Sequence, residues 1–157
     1  MARATTMKYE EMILEVEFDA SGSPGVYAAI CGLTDVTINR TSNIDTSEVP
    51  DCDDESLPVS LERQVRSQEV TFSGTGVWAL QSHEKMLDWW YSGASLNCRL
   101  RNVKAENDGA VGDTYIEAGP AILANLNNSR TKGQKVSAEI EGQFDGVPTR
   151  TLVASGT

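Results

Sequence analysis

The sequence is short of the residues that usually carry chemistry. Its 157 residues contain one histidine, His83, so no Ser/His/Asp or Cys/His arrangement can be assembled around a choice of bases. The three cysteines, Cys31, Cys52 and Cys98, are widely spaced and form no CxxC pair, which excludes the common zinc and redox motifs and reads as free thiols. No apolar run approaches the length of a membrane-spanning helix. The N-terminal stretch has no apolar core of the kind a secretory leader needs, so none is expected. Basic residues are also scarce: 13 Lys and Arg stand against 23 Asp and Glu, a net charge of −10. A surface that grips nucleic acid or anionic lipid needs clustered Lys and Arg, so that class is excluded too.

What the chain does have is alternation. Met12, Leu14, Val16 and Phe18 alternate with Ile13, Glu15, Glu17 and Asp19, the pattern of a half-buried strand. Ser21–Gly25 is a turn, a second strand follows over 26–30, and the spacing suggests a hairpin. A third strand is expected over 35–39. Val70, Phe72, Gly74, Gly76 and Trp78 share one face of a strand, with Glu69, Thr71, Ser73 and Thr75 on the other. Glycines inside that strand imply close approach by another element, for which the following helix is the candidate. Later, Leu96, Cys98 and Leu100 alternate with Asn97, Arg99 and Arg101. Strands at 114–116 and 121–126 are separated by a bend at Gly119-Pro120. Val136, Ala138, Ile140 and Phe144 alternate with Lys135, Ser137, Glu139, Glu141 and Gln143, and a short strand over 149–153 ends the series. Asn107-Asp108-Gly109 and Asp145-Gly146 supply turns.

One helix, over about 82–92, is predicted. At 100° per residue Met86, Leu87 and Trp90 fall in one arc, with Glu84, Lys85, Asp88 and Ser92 opposite. Ser82 is the expected N-cap, and Gly93 the terminator. Trp89 lies at the stripe's edge. It either packs under a neighbouring loop or anchors the chain against another subunit, since tryptophan is enriched at interface centres.

Between Thr41 and Gln64 the alternation fails. Pro50 and Pro58 appear, and Asp45, Glu48, Asp51, Asp53, Asp54, Glu55 and Glu62 come without a basic residue until Arg63. This reads as a long extended loop, and loops of this length in compact domains are functional or disordered. Its apolar residues, Val49, Leu57, Val59 and Leu61, are spaced to cover a hydrophobic surface on another copy. The Asp51–Glu55 cluster lacks the spacing and central glycine of an EF-hand, so a solvated acidic loop is a better reading than a calcium site. Gly74-Thr75-Gly76 precedes a helix but lacks the rest of any phosphate-binding fingerprint. No catalytic residue, metal or cofactor is expected.

Several runs together carry a resemblance. Glu48-Val-Pro-Asp-Cys-Asp-Asp-Glu55, Leu61-Glu-Arg-Gln-Val65, Val70-Thr-Phe-Ser-Gly-Thr-Gly-Val77, Leu87-Asp-Trp-Trp-Tyr-Ser-Gly93 and Asn97-Cys-Arg-Leu100 resemble, in order and spacing, the major tail tube proteins of long-tailed bacteriophages with flexible, non-contractile tails. The likeness runs over roughly residues 26–144.

The resemblance implies a mainly β fold, with two antiparallel sheets packed as a sandwich-like barrel and one flanking helix. At 157 residues the chain reads most simply as a single domain over 1–157, and its first eleven residues read as a mobile arm. The resemblance implies a non-enzymatic subunit of the virion tail, assembled in the host bacterial cytoplasm as a homo-oligomer of stacked six-fold rings. A tail-tip initiator, a tape measure and a tail terminator are its implied partners, and DNA passes through the lumen without specific binding. The loop residues Asp45, Glu48, Asp51, Asp53, Asp54, Glu55, Leu57 and Leu61 are then the inter-subunit candidates. The polar faces Glu69, Thr71, Ser73 and Glu139, Glu141, Gln143 are candidates for the lumen, where carboxylates repel DNA phosphates over the roughly 8 Å that physiological salt allows. Met86, Leu87 and Trp90 are assigned to helix packing, and Trp89 to a possible interface. A monomeric β-barrel binding a small molecule or carbohydrate is the rival; it requires Trp78, Trp89 and Trp90 to line one pocket.

Overall fold

A computed structural model of the chain describes residues 3–4 and 6–154. Eight strands make one antiparallel sheet: β1 (Met12–Val16), β2 (Ala28–Ala29), β3 (Leu33–Val49), β4 (Ser60–Val77), β5 (Leu96–Asn102), β6 (Thr114–Ser129), β7 (Ser137–Phe144) and β8 (Thr149–Leu152). Two helices interrupt them, α1 (Leu80–Ser92) and α2 (Val103–Asp108). The mainly antiparallel β architecture with a helix at about 82–92 is as expected. The strands, however, are not divided into two separate sheets. They follow the order β2-β1-β5-β6-β7-β4-β3, with β8 also on β6, and the sheet does not close.

The sheet curls around one core. Leu14 and Val16 from β1, Cys98 from β5, Ala121 and Leu123 from β6, Ile140 and Phe144 from β7 and Val70 and Phe72 from β4 pack together, and Val36 and Ile38 of β3 pack against them. The two ends of the sheet, β2-β1 and β3, thereby come near one another. A 3₁₀ turn at Tyr9–Glu11 bridges them, with the Tyr9 hydroxyl donating to the Leu33 carbonyl at 2.9 Å. The expected arm at 1–11 lies partly outside the described residues, at 1, 2 and 5; from Met7 the chain lies along the barrel.

β6 runs unbroken through Gly119-Pro120, where a bend was expected. One side of β6 pairs β5 over Ile116–Ala121, while the other pairs β8 up to Ala118 and β7 from Ala121. Pro120 falls in the gap between those two partners, so its missing N–H deprives no ladder bond. Its carbonyl accepts from the Asp145 amide at 2.8 Å. The close approach to Gly74 and Gly76 comes from the start of β3, not from α1. A Cβ on Gly76 would lie 2.7 Å from Leu33 Cα, and one on Gly74 3.0 Å from Leu33 Cδ1.

α1 begins one turn earlier than Ser82. Its N-cap is Ala79, which has no side-chain oxygen to offer; instead His83 Nδ1 lies 3.0 Å from the Ala79 amide. Ser82 is buried inside the helix, accepting from the Cys31 amide at 3.0 Å. The buried arc is Ser82, His83, Met86 and Trp89. This reverses the tryptophans: Trp90 is 46% exposed while Trp89 is 2% exposed, with its indole N–H on the Ala94 carbonyl at 2.8 Å. Trp90 is therefore not a packing residue within the subunit, and Trp89 has no surface to offer another one; Met86 is fully buried and Leu87 half-buried. Gly93 ends the helix at φ 66°, a left-handed conformation that glycine adopts without strain.

Two cysteines, Cys31 and Cys52, are exposed, and Cys98 is buried with its thiol pushed up to about 12 by desolvation. Thiolate is the reactive form. In native protein at neutral pH a maleimide should label Cys31 and Cys52 and leave Cys98 until denaturant is added; rapid labelling of all three would contradict this core. Among the described residues no helix is long and apolar enough to cross a membrane.

Candidate assembly surfaces

The stretch expected as an extended loop over Thr41–Gln64 is mostly a β-ribbon. β3 and β4 pair continuously from Arg40↔Val70 out to Val49↔Ser60, and only Pro50–Val59 turns. β7 accompanies β4 no further than Thr71, so the outer part has two strands and solvent on both faces. From Ser42 to Val49, at about 3.3 Å per residue, it reaches about 25 Å beyond the body.

A register shift after Asn43 leaves Arg66 as an extra residue in β4. Such a bulge moves every later side chain to the opposite face. Without it Val65 and Leu61 would join the outer, polar face; with it they lie opposite Ile44 and Glu48. The ribbon therefore puts Ile44, Val65 and Leu61 on one face, interleaved with Thr46, Arg63 and Glu48, with Ile44 and Val65 56% and 57% exposed, while Leu57 and Val59 are exposed in the tip turn. At the tip the acids shape the turn. Asp51 Oδ1 accepts from the Asp53 and Asp54 amides at 2.8 and 3.0 Å, and Asp54 Oδ1 from the Ser56 amide at 3.0 Å. The two amide bonds hold the Asp51 carboxyl below its ordinary range, and the Ser56 hydroxyl, which also donates to Asp54 Oδ1, does the same for Asp54 together with the Ser56 amide. Asp45, Glu48, Asp53 and Glu55 stand in solvent. Among the described residues no group of three His, Cys, Asp or Glu side chains is placed to hold a metal.

The second surface is the back of the sheet. The register aligns Thr71 with Gln143, Ser73 with Glu141 and Thr75 with Glu139, so the two polar faces read separately from the sequence are one surface. It extends further than the sequence indicated. Thr41, Asn39 and Thr37 of β3 lie opposite Glu69, Thr71 and Ser73, and Asn127 and Asn125 of β6 lie opposite Glu139 and Glu141. Asn125 donates to Glu141 at 2.9 Å. The face is polar across four strands except at exposed Ile122, which lies opposite Gln143. It carries the carboxylates of Asp35, Glu69, Glu139 and Glu141, and none of the residues just named is basic. The extension was available in the alternation Asp35, Thr37, Asn39.

Three basic side chains are engaged in ion pairs away from this face. Arg40 pairs with Glu117. Arg99 pairs with buried Glu15 at 3.1 Å and lies over the Tyr27 ring at 4.2 Å. Arg101 donates to Glu106 at 2.7 Å. The three tryptophans do not converge on one pocket: Trp78 lies against the His83 ring, Trp89 is in the core and Trp90 faces solvent beside Tyr91.

The fold is thus a curled, unclosed sheet with an exposed two-stranded ribbon and an acidic polar face. The family model described as phage tail tube protein matches residues 6–150, and the chain belongs to that family. It is a structural component of the virion tail, not an enzyme. No curated protein matches by sequence. Among solved structures, the tail of an empty gene transfer agent particle, refined helically with C6 symmetry, is similar at 16% identity and TM-score 0.68, covering 93% of this chain and 99% of that one. The native gene transfer agent virion contains a similar chain at 15% identity and TM-score 0.65, with 93% and 99% covered. The SPP1 tail tube, from solid-state NMR and cryo-EM, is similar at 12% identity and TM-score 0.67, over 96% of this chain and 81% of that one.

Proposed function

We propose that the protein builds a tail tube of stacked six-fold rings, with the acidic face of β3, β4, β7 and β6 lining a lumen through which DNA passes. The observation that carries this reading is that four-strand face. Its carboxylates and amide side chains lie opposite a packed core, on a chain whose family makes tail tubes. A wall whose paired residues carry fixed carboxylates gives phosphates little to pair with, so a polyanion can slide past without being held. The ribbon supports ring-to-ring contact, because a projecting arm that grips a different patch on the next copy makes a heterologous interface, and such interfaces propagate into filaments. The unpaired edges of β3 and β2 are open to strands of neighbouring subunits. A tail-tip initiator, a tape measure and a terminator would start, measure and stop growth in the host bacterial cytoplasm.

Concentrated protein, alone or seeded with the tail-tip initiator, should give hollow tubes with six-fold end views by electron microscopy. A subunit that stays monomeric under all such conditions would refute tube building. Tubes whose image reconstruction places Glu139 and Glu141 on the outer wall would refute the lumen assignment alone.

A further inference from the structure

The open seam of the barrel holds an apolar groove of about 430 Å³, lined by Met7, Met12, Leu14, Ile30, Leu33 and Val36. A second depression of about 220 Å³ shares Met7 and Met12 and continues past Ile38 and Leu100, so the trough follows the seam. We infer that this groove is the receptor for the segment Leu57-Pro58-Val59-Ser60-Leu61 from the ribbon of another copy, an assignment that rests on the tube-building reading above.

Three observations select that occupant. Leu57, Val59 and Leu61 recur every second residue and are all exposed in the subunit, which is how an extended segment presents one apolar side to a trough. Pro58 removes one backbone donor from a segment that would lie along a sheet margin. The ribbon cannot serve its own groove, because continuous pairing from Arg40↔Val70 to Val49↔Ser60 holds the tip away from the body.

The test uses the full chain with the exposed Cys31 and Cys52 changed to Ser, then Met7→Cys and Val59→Cys together. Tubes grown from it and oxidised with copper phenanthroline should give a ladder of covalent multimers on a non-reducing gel, with either single cysteine giving none. A control pair, Val59→Cys with Leu152→Cys on exposed β8, should give no ladder. Normal tubes without a ladder from the first pair, or with one from the control, overturn the groove and leave tube building standing. Failure of the cysteine-substituted parent and the wild type alike to form tubes overturns both. Leu61 is exposed in the subunit, so the Leu61→Asp variant should fold; it should raise the critical concentration for tube growth at least tenfold. An unchanged critical concentration would also count against the groove.

Discussion

Gly142→Ala is expected to destabilise the subunit by about 3 kcal/mol, at the upper end of what overpacking a core usually costs. Gly142 lies directly opposite Phe72 on the core face of β7 and β4. A Cβ there would lie 2.2 Å from Phe72 Cζ and 2.7 and 2.8 Å from the two Cε atoms. The ring has no free direction: Phe72 is 1% exposed and meets Phe144 edge-on at 5.6 Å between centroids. Phe72→Ala alone should cost about 3–5 kcal/mol, by transfer loss and cavity formation. The informative experiment is the cycle. With Phe72 already truncated, the methyl added by Gly142→Ala enters the space the ring has left, so the second substitution should cost little or restore stability, a coupling of about 2–3 kcal/mol. Urea denaturation of the unassembled subunit measures all four corners. Equal costs of Gly142→Ala in both backgrounds would show that the glycine is required for some reason other than the ring.

That pair also shows what the sequence made legible. Alternation placed Phe72 and Gly74 on one face of β4, and Ile140 and Phe144 on one face of β7, because each strand has a dry side and a wet side. It could not say that β4 and β7 are neighbours, nor that β1 pairs with distant β5, since pairing partners leave no period. Hence separate polar faces emerged where the structure has one; the two packed sheets were implied by the family resemblance, and the structure has one curled sheet instead. The ribbon was lost for the opposite reason. Between Ser42 and Glu69 both faces are wet, so burial imposes no alternation, and the extra residue at Arg66 breaks what phase remains. Pro50 and Pro58 belong to the tip turn and its margin; they read as signs of a loop throughout. The helix was found through Gly93 and its apolar period, but its phase was drawn toward Trp90. Two of the four residues in its buried arc, Ser82 and His83, are polar, and their partners, Cys31 and Ala79, lie outside the periodic stretch. α2 was missed although Asn102 caps it, accepting from the Ala105 amide at 3.0 Å.

Deleting Asp45–Leu61 is expected to leave the subunit folded and to abolish tube growth. The cut joins Ile44 to Glu62, so that Glu62-Arg63-Gln64 becomes a three-residue connection closing the hairpin at the existing Ile44↔Val65 pair. None of the deleted residues contributes to the core, and the retained face from Arg40↔Val70 inward keeps its pairing. A two-stranded ribbon with no dry face adds little to the stability of the body that bears it. Circular dichroism and the thermal midpoint of the unassembled subunit should therefore stay close to wild type, within about 2–4 °C, the shift about 1 kcal/mol produces in a domain of this size. Assembly is where the loss should appear, as the absence of sedimenting tubes at concentrations where wild type polymerises fully. The two measurements separate the possibilities. A large fall in the midpoint would mean that the ribbon braces its own barrel, and tubes from a well-folded deletion variant would mean that ring contact is made by other surfaces. Stability kept and growth lost is the one combination that assigns the ribbon to the neighbouring copy, because an arm solvated on both faces in the single subunit acquires its dry side only there.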